Sequence, residues 1–157
     1  MKTKISNFRE QLLERTLKFS ENLIKVFSSL PKSPVNKVLV NQAIRSGTSI
    51  GANYREACEA ESAKDFVHKV RICKKESKET VYWLELVIRA NTKFSKDIEP
   101  LKGEVIEFIT VFKKTPRFNR GDELNADMSS SLEETPRYQR GEDVIKIFSS
   151  ISSKFNR

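Results

Sequence analysis

Between Phe8 and Phe112, apolar residues recur at three- and four-residue spacing in four successive runs divided by short polar breaks. This spacing gives a helix one apolar stripe, which is stable only when packed against another stripe. The runs are Phe8, Leu12, Phe19, Leu23, Val26, Phe27 and Leu30; then Leu39, Ala43, Ile50 and Ala57; then Phe66, Val70, Cys73, Val81, Leu84 and Ile88; then Leu101, Val105, Phe108, Ile109 and Phe112. Four such helices joined by short connections predict an all-α, antiparallel up-and-down four-helix bundle.

The breaks place the helix ends. Asn7 with Glu10 has the spacing of a capping box, so helix 1 is expected from about Asn7 to Leu30, ended by Pro31. Ser33 caps helix 2, Pro34 takes its first position, and the run reaches Cys58. Ser62 with Asp65 opens helix 3, which extends to about Asn91. Helix 4 begins near Asp97 or Glu99, with Pro100 in its first turn. The short break between helices 2 and 3 predicts an antiparallel hairpin.

The 157 residues suit a single domain, 1–157. No run approaches the ~20 apolar residues of a membrane span, so no membrane partner is expected. The N-terminus meets charge too early for a secretory signal, which gives a cytoplasmic expectation. Cys58 and Cys73 then read as reduced thiols acting as small, half-buried hydrophobes.

Charge divides the chain. Residues 1–114 hold 22 Lys and Arg against 14 acids, whereas residues 115–157 hold seven of each, so the net charge of +8 belongs to the N-terminal body. A basic surface attracts phosphate and releases counterions on binding, which makes RNA or DNA a candidate partner.

After residue 114 the helical pattern stops. Residues 115–142 are polar and turn-rich, and "TPRFNRG" at 115–121 returns as "TPRYQRG" at 135–141. This stretch has too little apolar surface to offset its ordering entropy and reads as a flexible insertion. "EVIEFITVFKK" at 104–114 resembles "DVIKIFSSISSK" at 143–154, so either segment can complete helix 4. The C-terminal candidate, 143–155, otherwise forms an extra helical segment.

The stretch "RSGTSIGANYRE" at 45–56 puts poor helix formers inside helix 2. Glycine costs a helix interior about 1 kcal/mol relative to alanine. A phosphate-binding loop needs a preceding strand and a GxxxxGK[ST] or GxGxxG pattern, and neither is here. Close packing accounts for the glycines better: Ala43, Gly47, Ile50, Tyr54 and Ala57 share one side. Beside them run Gln42, Ser46, Ser49, Asn53 and Glu56. This polar stripe has two readings: a network that fixes register or subunit contacts, or a groove that touches a ligand or RNA.

Helix 3 carries Lys69, Arg71, Lys74, Lys75 and Lys78, with Tyr82 and Trp83 downstream. Cations beside aromatics can hold phosphates and stack bases; a solvated face with a core Trp83 is the plainer reading. Counting register around the hairpin places Arg45 opposite Glu76, where pairing offsets a half-buried charge. Catalysis has little support. His68 is the only histidine, no metal-ligand spacing occurs, and neither a nucleophile elbow nor a carboxylate dyad stands out. No cofactor or metal site is expected.

"QAIRSGTSIGANYREA" at 42–57 and "HKVRICKKESKETVYWLEL" at 68–86 together resemble the paired signatures of the 23S rRNA intervening-sequence proteins, also called S23 ribosomal proteins. These have the form RSxxSIxxNxxEA, then KxxIxxKExxET-YWL. The resemblance covers about residues 1–104. It implies a four-helix bundle assembling as a homo-pentamer, a nucleic-acid association and no catalytic activity. It also implies kinship with an accessory bundle that partners a reverse transcriptase in diversity-generating retroelements. The motif positions here are Arg45, Ser46, Gly47, Ser49, Ile50, Asn53, Glu56, Lys75, Glu76, Glu79 and Trp83. Joining Glu104 directly to Asp143 leaves a chain of family-like length, so residues 105–142 read as an in-frame insertion.

The sequence therefore predicts a non-enzymatic, oligomeric helical bundle that binds nucleic acid. Its candidate contacts are Arg45, Arg55, Lys69, Arg71, Lys74, Lys75 and Lys78. The alternative is a protein-interaction scaffold, or an accessory protein such as a reverse-transcriptase partner, using the same basic faces.

Overall fold

The computed structural model describes residues 4–114. They form four α-helices, α1 (Lys4–Ser28), α2 (Pro34–Cys58), α3 (Ala63–Ala90) and α4 (Ser95–Lys113), with a 3-10 turn at Thr92–Phe94. This is an all-α helical bundle, without strands among the described residues. The expected insertion at 115–142 and the segment 143–155 lie outside the described residues.

Two helix starts follow their local chemistry. The Ser33 side chain accepts from the Asn36 N–H at 3.1 Å, and Pro34 occupies the first helical position. The Ser62 side chain accepts from the Asp65 N–H at 3.1 Å, with Asp65 in the first turn where a carboxylate suits the helix dipole. The other two starts differ from expectation. α1 begins at Lys4, so Asn7 lies inside the helix rather than capping it. A capping box only offers a start, and helical residues upstream of it override the offer. α4 begins at Ser95, because the 3-10 turn after Asn91 feeds directly into it, and Pro100 falls within the helix. α1 ends at Ser28, although the Leu30 N–H still reaches the Phe27 carbonyl at 3.2 Å and Leu30 is buried.

Side-chain pairs fix how the helices lie. Along α2 and α3 the partners are Asn36 with Asn91, Arg45 with Glu79 and Glu56 with Lys69, so the two helices run in opposite directions. Near the start of α1, Arg9 meets Glu59 just past the end of α2 at 2.7 Å. The Phe112 ring, near the end of α4, lies 6.0 Å from that of Tyr54 in the second half of α2. The core between them holds Leu23, Ile50, Tyr54, Phe66, Leu84 and Phe108, each at most 1% exposed. α4 contributes Val105, Phe108, Val111 and Phe112 to it. Of the two sequence candidates, residues 105–113 therefore continue helix 4.

Polar pairs inside this core set its register. The Asn36 and Asn91 amides exchange hydrogen bonds, each Nδ2 donating to the other's Oδ1 at 2.9 Å. Their second donor protons go to the Pro31 and Val87 carbonyls at 2.8 and 2.9 Å. A satisfied buried pair of this kind holds one register, because a slip leaves both amides unpaired.

Ala43, Gly47, Ile50, Tyr54 and Ala57 are all buried. At Gly47 the backbone of α2 comes so close to α1 that an added Cβ lies 2.5 Å from Leu23 Cδ2 and 3.4 Å from the Phe19 ring. The close approach offsets the glycine's poor helix propensity. Gly51 has more room, with 3.3 Å to Thr16 Oγ1. Gly47→Val should therefore destabilise the bundle by about 1–3 kcal/mol through overpacking against Leu23. Gly51→Ala should stay within about 1 kcal/mol of wild type, since its helix-propensity gain opposes a mild crowding. Urea melts of the two variants check this; equal midpoints would contradict the close-packing account.

Candidate nucleic-acid interface

The outward side of α3 gathers the strongest positive charge on a single helix. At 100° per residue, Arg71, Lys75, Lys78 and Tyr82 fall on one stripe opposite the buried Phe66, Ser77 and Leu84. All four stripe residues are exposed. Among the described residues, neither Lys75 nor Lys78 has a carboxylate partner. Lys74 is half-buried on the flank of the stripe.

The remaining candidates lie elsewhere. Arg45 on α2 is exposed and pairs with Glu79, not with Glu76 as register counting placed it. The two carboxylates lie about one helical turn apart, and the long Arg45 side chain spans that turn. Lys69 donates to Glu56 Oε2 at 2.5 Å, and that bond holds its ammonium above the ordinary lysine pKa. Arg55 turns to its own helix, donating from Nη1 to the Gly51 carbonyl at 3.2 Å. The structure thus brings Arg71, Lys75 and Lys78 together and leaves Arg45, Arg55 and Lys69 apart from them.

The polar stripe of α2 is bonded mostly to its own backbone. Ser46 Oγ donates to the Gln42 carbonyl at 3.0 Å, Ser49 Oγ to that of Arg45 at 2.7 Å, and Asn53 Nδ2 to that of Ser49 at 2.9 Å. Two links cross helices: the Glu56 bond with Lys69 just described, and Thr80 Oγ1, which lies 3.0 Å from Ser46 Oγ with both residues fully buried. Glu76 is half-buried, and its Oε2 has no hydrogen-bond partner among the described residues.

Between the two helices runs a chain of contacts that sequence reasoning did not assemble. Arg45 pairs with Glu79, and Glu79 Oε1 accepts from the Trp83 Nε1–H at 3.2 Å. The Trp83 ring then meets Tyr82 edge to face, with centroids 5.1 Å apart. Trp83 is half-buried rather than a core residue, and Tyr82 is 58% exposed. The sequence signal was the i, i+4 spacing of Glu79 and Trp83.

Other features point away from α3. An open groove of about 700 Å³ separates α1 from α4, lined by Glu10, Glu14, Lys18 and Phe19 among others. Arg15 spans it, with Nε and Nη2 at 2.5 and 2.9 Å from the Glu104 carboxylate. Its three acids outnumber its two cations, Arg15 and Lys18, and Arg15 is taken by Glu104, so the groove offers a polyanion no excess of positive charge. Burial pushes the Cys73 thiol up to about 12 and raises Cys58 as well, so neither is a ready nucleophile. Among the described residues no group of three or more His, Cys, Asp or Glu side chains can hold a metal, and no helix is long and apolar enough to cross a membrane.

These features define a class: an all-α four-helix bundle whose most concentrated charge is a basic stripe on the outward face of α3. The family model of the 23S rRNA-intervening sequence proteins matches residues 10–114. The chain belongs to that family. A crystal structure from the S23 ribosomal protein family, of a Bacteroides thetaiotaomicron protein of unknown function, is 36% identical with a TM-score of 0.58. The match covers 64% of this chain and 93% of the other. No curated protein matches the chain.

Proposed function

We propose that this protein is a non-enzymatic, cytoplasmic helical bundle that assembles as a homo-pentamer and binds RNA. The observation that carries the reading is the stripe of Arg71, Lys75 and Lys78, exposed on one face of α3, with Lys75 and Lys78 unpaired by carboxylates among the described residues. Lysines on a rigid helix offer phosphates a preformed row of charge, and binding draws on counterion release. Membership of a family named for intervening sequences in 23S rRNA supports RNA over DNA as the partner.

Size-exclusion chromatography with light scattering, run with and without a large-subunit rRNA fragment, tests assembly and ligand together. The expected result is an oligomer that co-elutes with RNA at low salt and releases it as salt rises. A monomer that ignores RNA at low salt contradicts the proposal.

A second reading has its own observation. Val35 and Val38 on α2 are each 60% exposed, and Ile24 on α1 is 50% exposed, so the bundle presents apolar surface that suits protein contacts. Subunit assembly uses such surface, and so does a scaffold that meets an acidic protein through the basic stripe. Pull-down before and after nuclease separates the cases, because a scaffold's partner stays bound once RNA is digested.

A further inference from the structure

The basic stripe does not end on a charge. Its next position along α3 is Tyr82, the one exposed residue among the Phe, Tyr and Trp side chains of the described residues. Lys75, Lys78 and Tyr82 follow at i, i+3 and i+7, so they stand in line along about 10 Å of helix at 1.5 Å per residue. The ring is also held in place. Trp83 packs against it edge to face at 5.1 Å, and Trp83 is itself tied through Nε1 to Glu79, the partner of Arg45. An exposed apolar ring fixed from behind is a poor solvent group and a ready stacking surface.

We propose that α3 carries a single-strand binding site, in which Tyr82 stacks an unpaired base while Lys75 and Lys78 hold the flanking phosphates. The inference rests on the nucleic-acid reading above and narrows it to one class of ligand. Duplex phosphates can also reach the lysines. Bases inside a duplex, however, are stacked on their neighbours and offer no face to Tyr82. An unpaired base offers that face whatever its identity, so the site tolerates many sequences. The ligand is a single-stranded polynucleotide, RNA or DNA, and binding to the two kinds of strand, measured side by side, separates them.

Fluorescence anisotropy tests this with the full chain and mixed-sequence 20-mers: single-stranded RNA, single-stranded DNA and the RNA duplex, with polyglutamate as a polyanion competitor. At equal salt, wild type should bind the single strands several-fold more tightly than the duplex. Tyr82→Ala should weaken single-strand binding about tenfold and duplex binding less than twofold. Tyr82→Phe should keep wild-type affinity, because the ring face and not the hydroxyl makes the contact. Tyr82 is exposed, so circular dichroism should show unchanged helix content in both variants.

The outcomes are distinguishable. If Tyr82→Ala binds single strands as wild type does while Lys75→Glu and Lys78→Glu lose binding, the stacking site is overturned and the phosphate reading stands. A duplex bound as tightly as the single strand also overturns the stacking site. If no variant and no nucleic acid gives a signal, or polyglutamate displaces RNA as well as unlabelled RNA does, both readings fall together.

Discussion

Replacing Lys75 and Lys78 together by glutamate is expected to weaken RNA binding about a hundredfold at low salt while leaving the fold intact. Each substitution removes one phosphate contact and adds a charge that repels the backbone. An exposed charge pair contributes up to about 1 kcal/mol, and the repulsion introduced by reversing the charge adds to that loss, for about 1.4 kcal/mol per substitution. Two losses of about 1.4 kcal/mol multiply to about a hundredfold in Kd. The fold should tolerate the change, because both residues are exposed and glutamate is about as good a helix former as lysine. A glutamate introduced at position 75 stands one turn before Glu79, and that like-charge pair costs only about 0.2–0.5 kcal/mol. Filter binding and a thermal melt of the same preparation check both halves. Undiminished binding removes α3 from the interface.

Phe108→Ala is expected to be the most damaging single core change, at about 3–5 kcal/mol. Phe108 is fully buried in α4, edge to face with Phe19 at 5.5 Å and tilted against Phe112 at 6.3 Å. The Arg15 guanidinium carbon sits 5.4 Å from its ring centroid, so the cation–π contact that steadies the Arg15–Glu104 pair is lost as well. At fixed protein concentration the melting temperature should fall by about 10 °C or more. Phe108 lies in the stretch that the sequence reads as the start of an insertion. An unchanged melt would mean that residues 105–113 do not supply the fourth helix.

Much of the bundle was readable in the sequence because its signals are local. Ser33 with Pro34 and Ser62 with Asp65 place two helix starts within single hydrogen bonds of where they occur. The small residues of "RSGTSIGANYRE" pointed to close packing because glycine inside a helix needs a compensating neighbour, and Leu23 is that neighbour. The misses are where a local pattern has more than one solution. Asn7 offers a cap that the upstream helix overrides. Pro100 tolerates a place within α4 as well as in its first turn, so it does not fix the start at Ser95. Arg45 reaches Glu79 instead of Glu76 because a long side chain spans a full turn, and register counting resolves no better than that.

The candidate interface was only half legible. The lysines announce themselves by composition, yet their carboxylate partners come from another helix. Glu56 takes Lys69 and Glu79 takes Arg45, which leaves the α3 stripe as the concentrated charge. Tyr82 and Trp83 are adjacent, so they point about 100° apart and cannot both enter the groove between α2 and α3. Helix periodicity decides which stays outside: Tyr82 continues the exposed stripe of Arg71, Lys75 and Lys78, whereas Trp83 is half-buried and bonded to Glu79, the partner of Arg45.

The most direct test of the account is the salt dependence of single-stranded RNA binding, measured for wild type and for the Lys75→Glu, Lys78→Glu double variant. Counterion release makes log K fall linearly with log salt, with a slope of about −0.7 per phosphate contact for a single strand. Wild type should show a steep negative slope and the double variant a slope shallower by about 1.4, the value for two lost contacts. Parallel lines for the two proteins would contradict it.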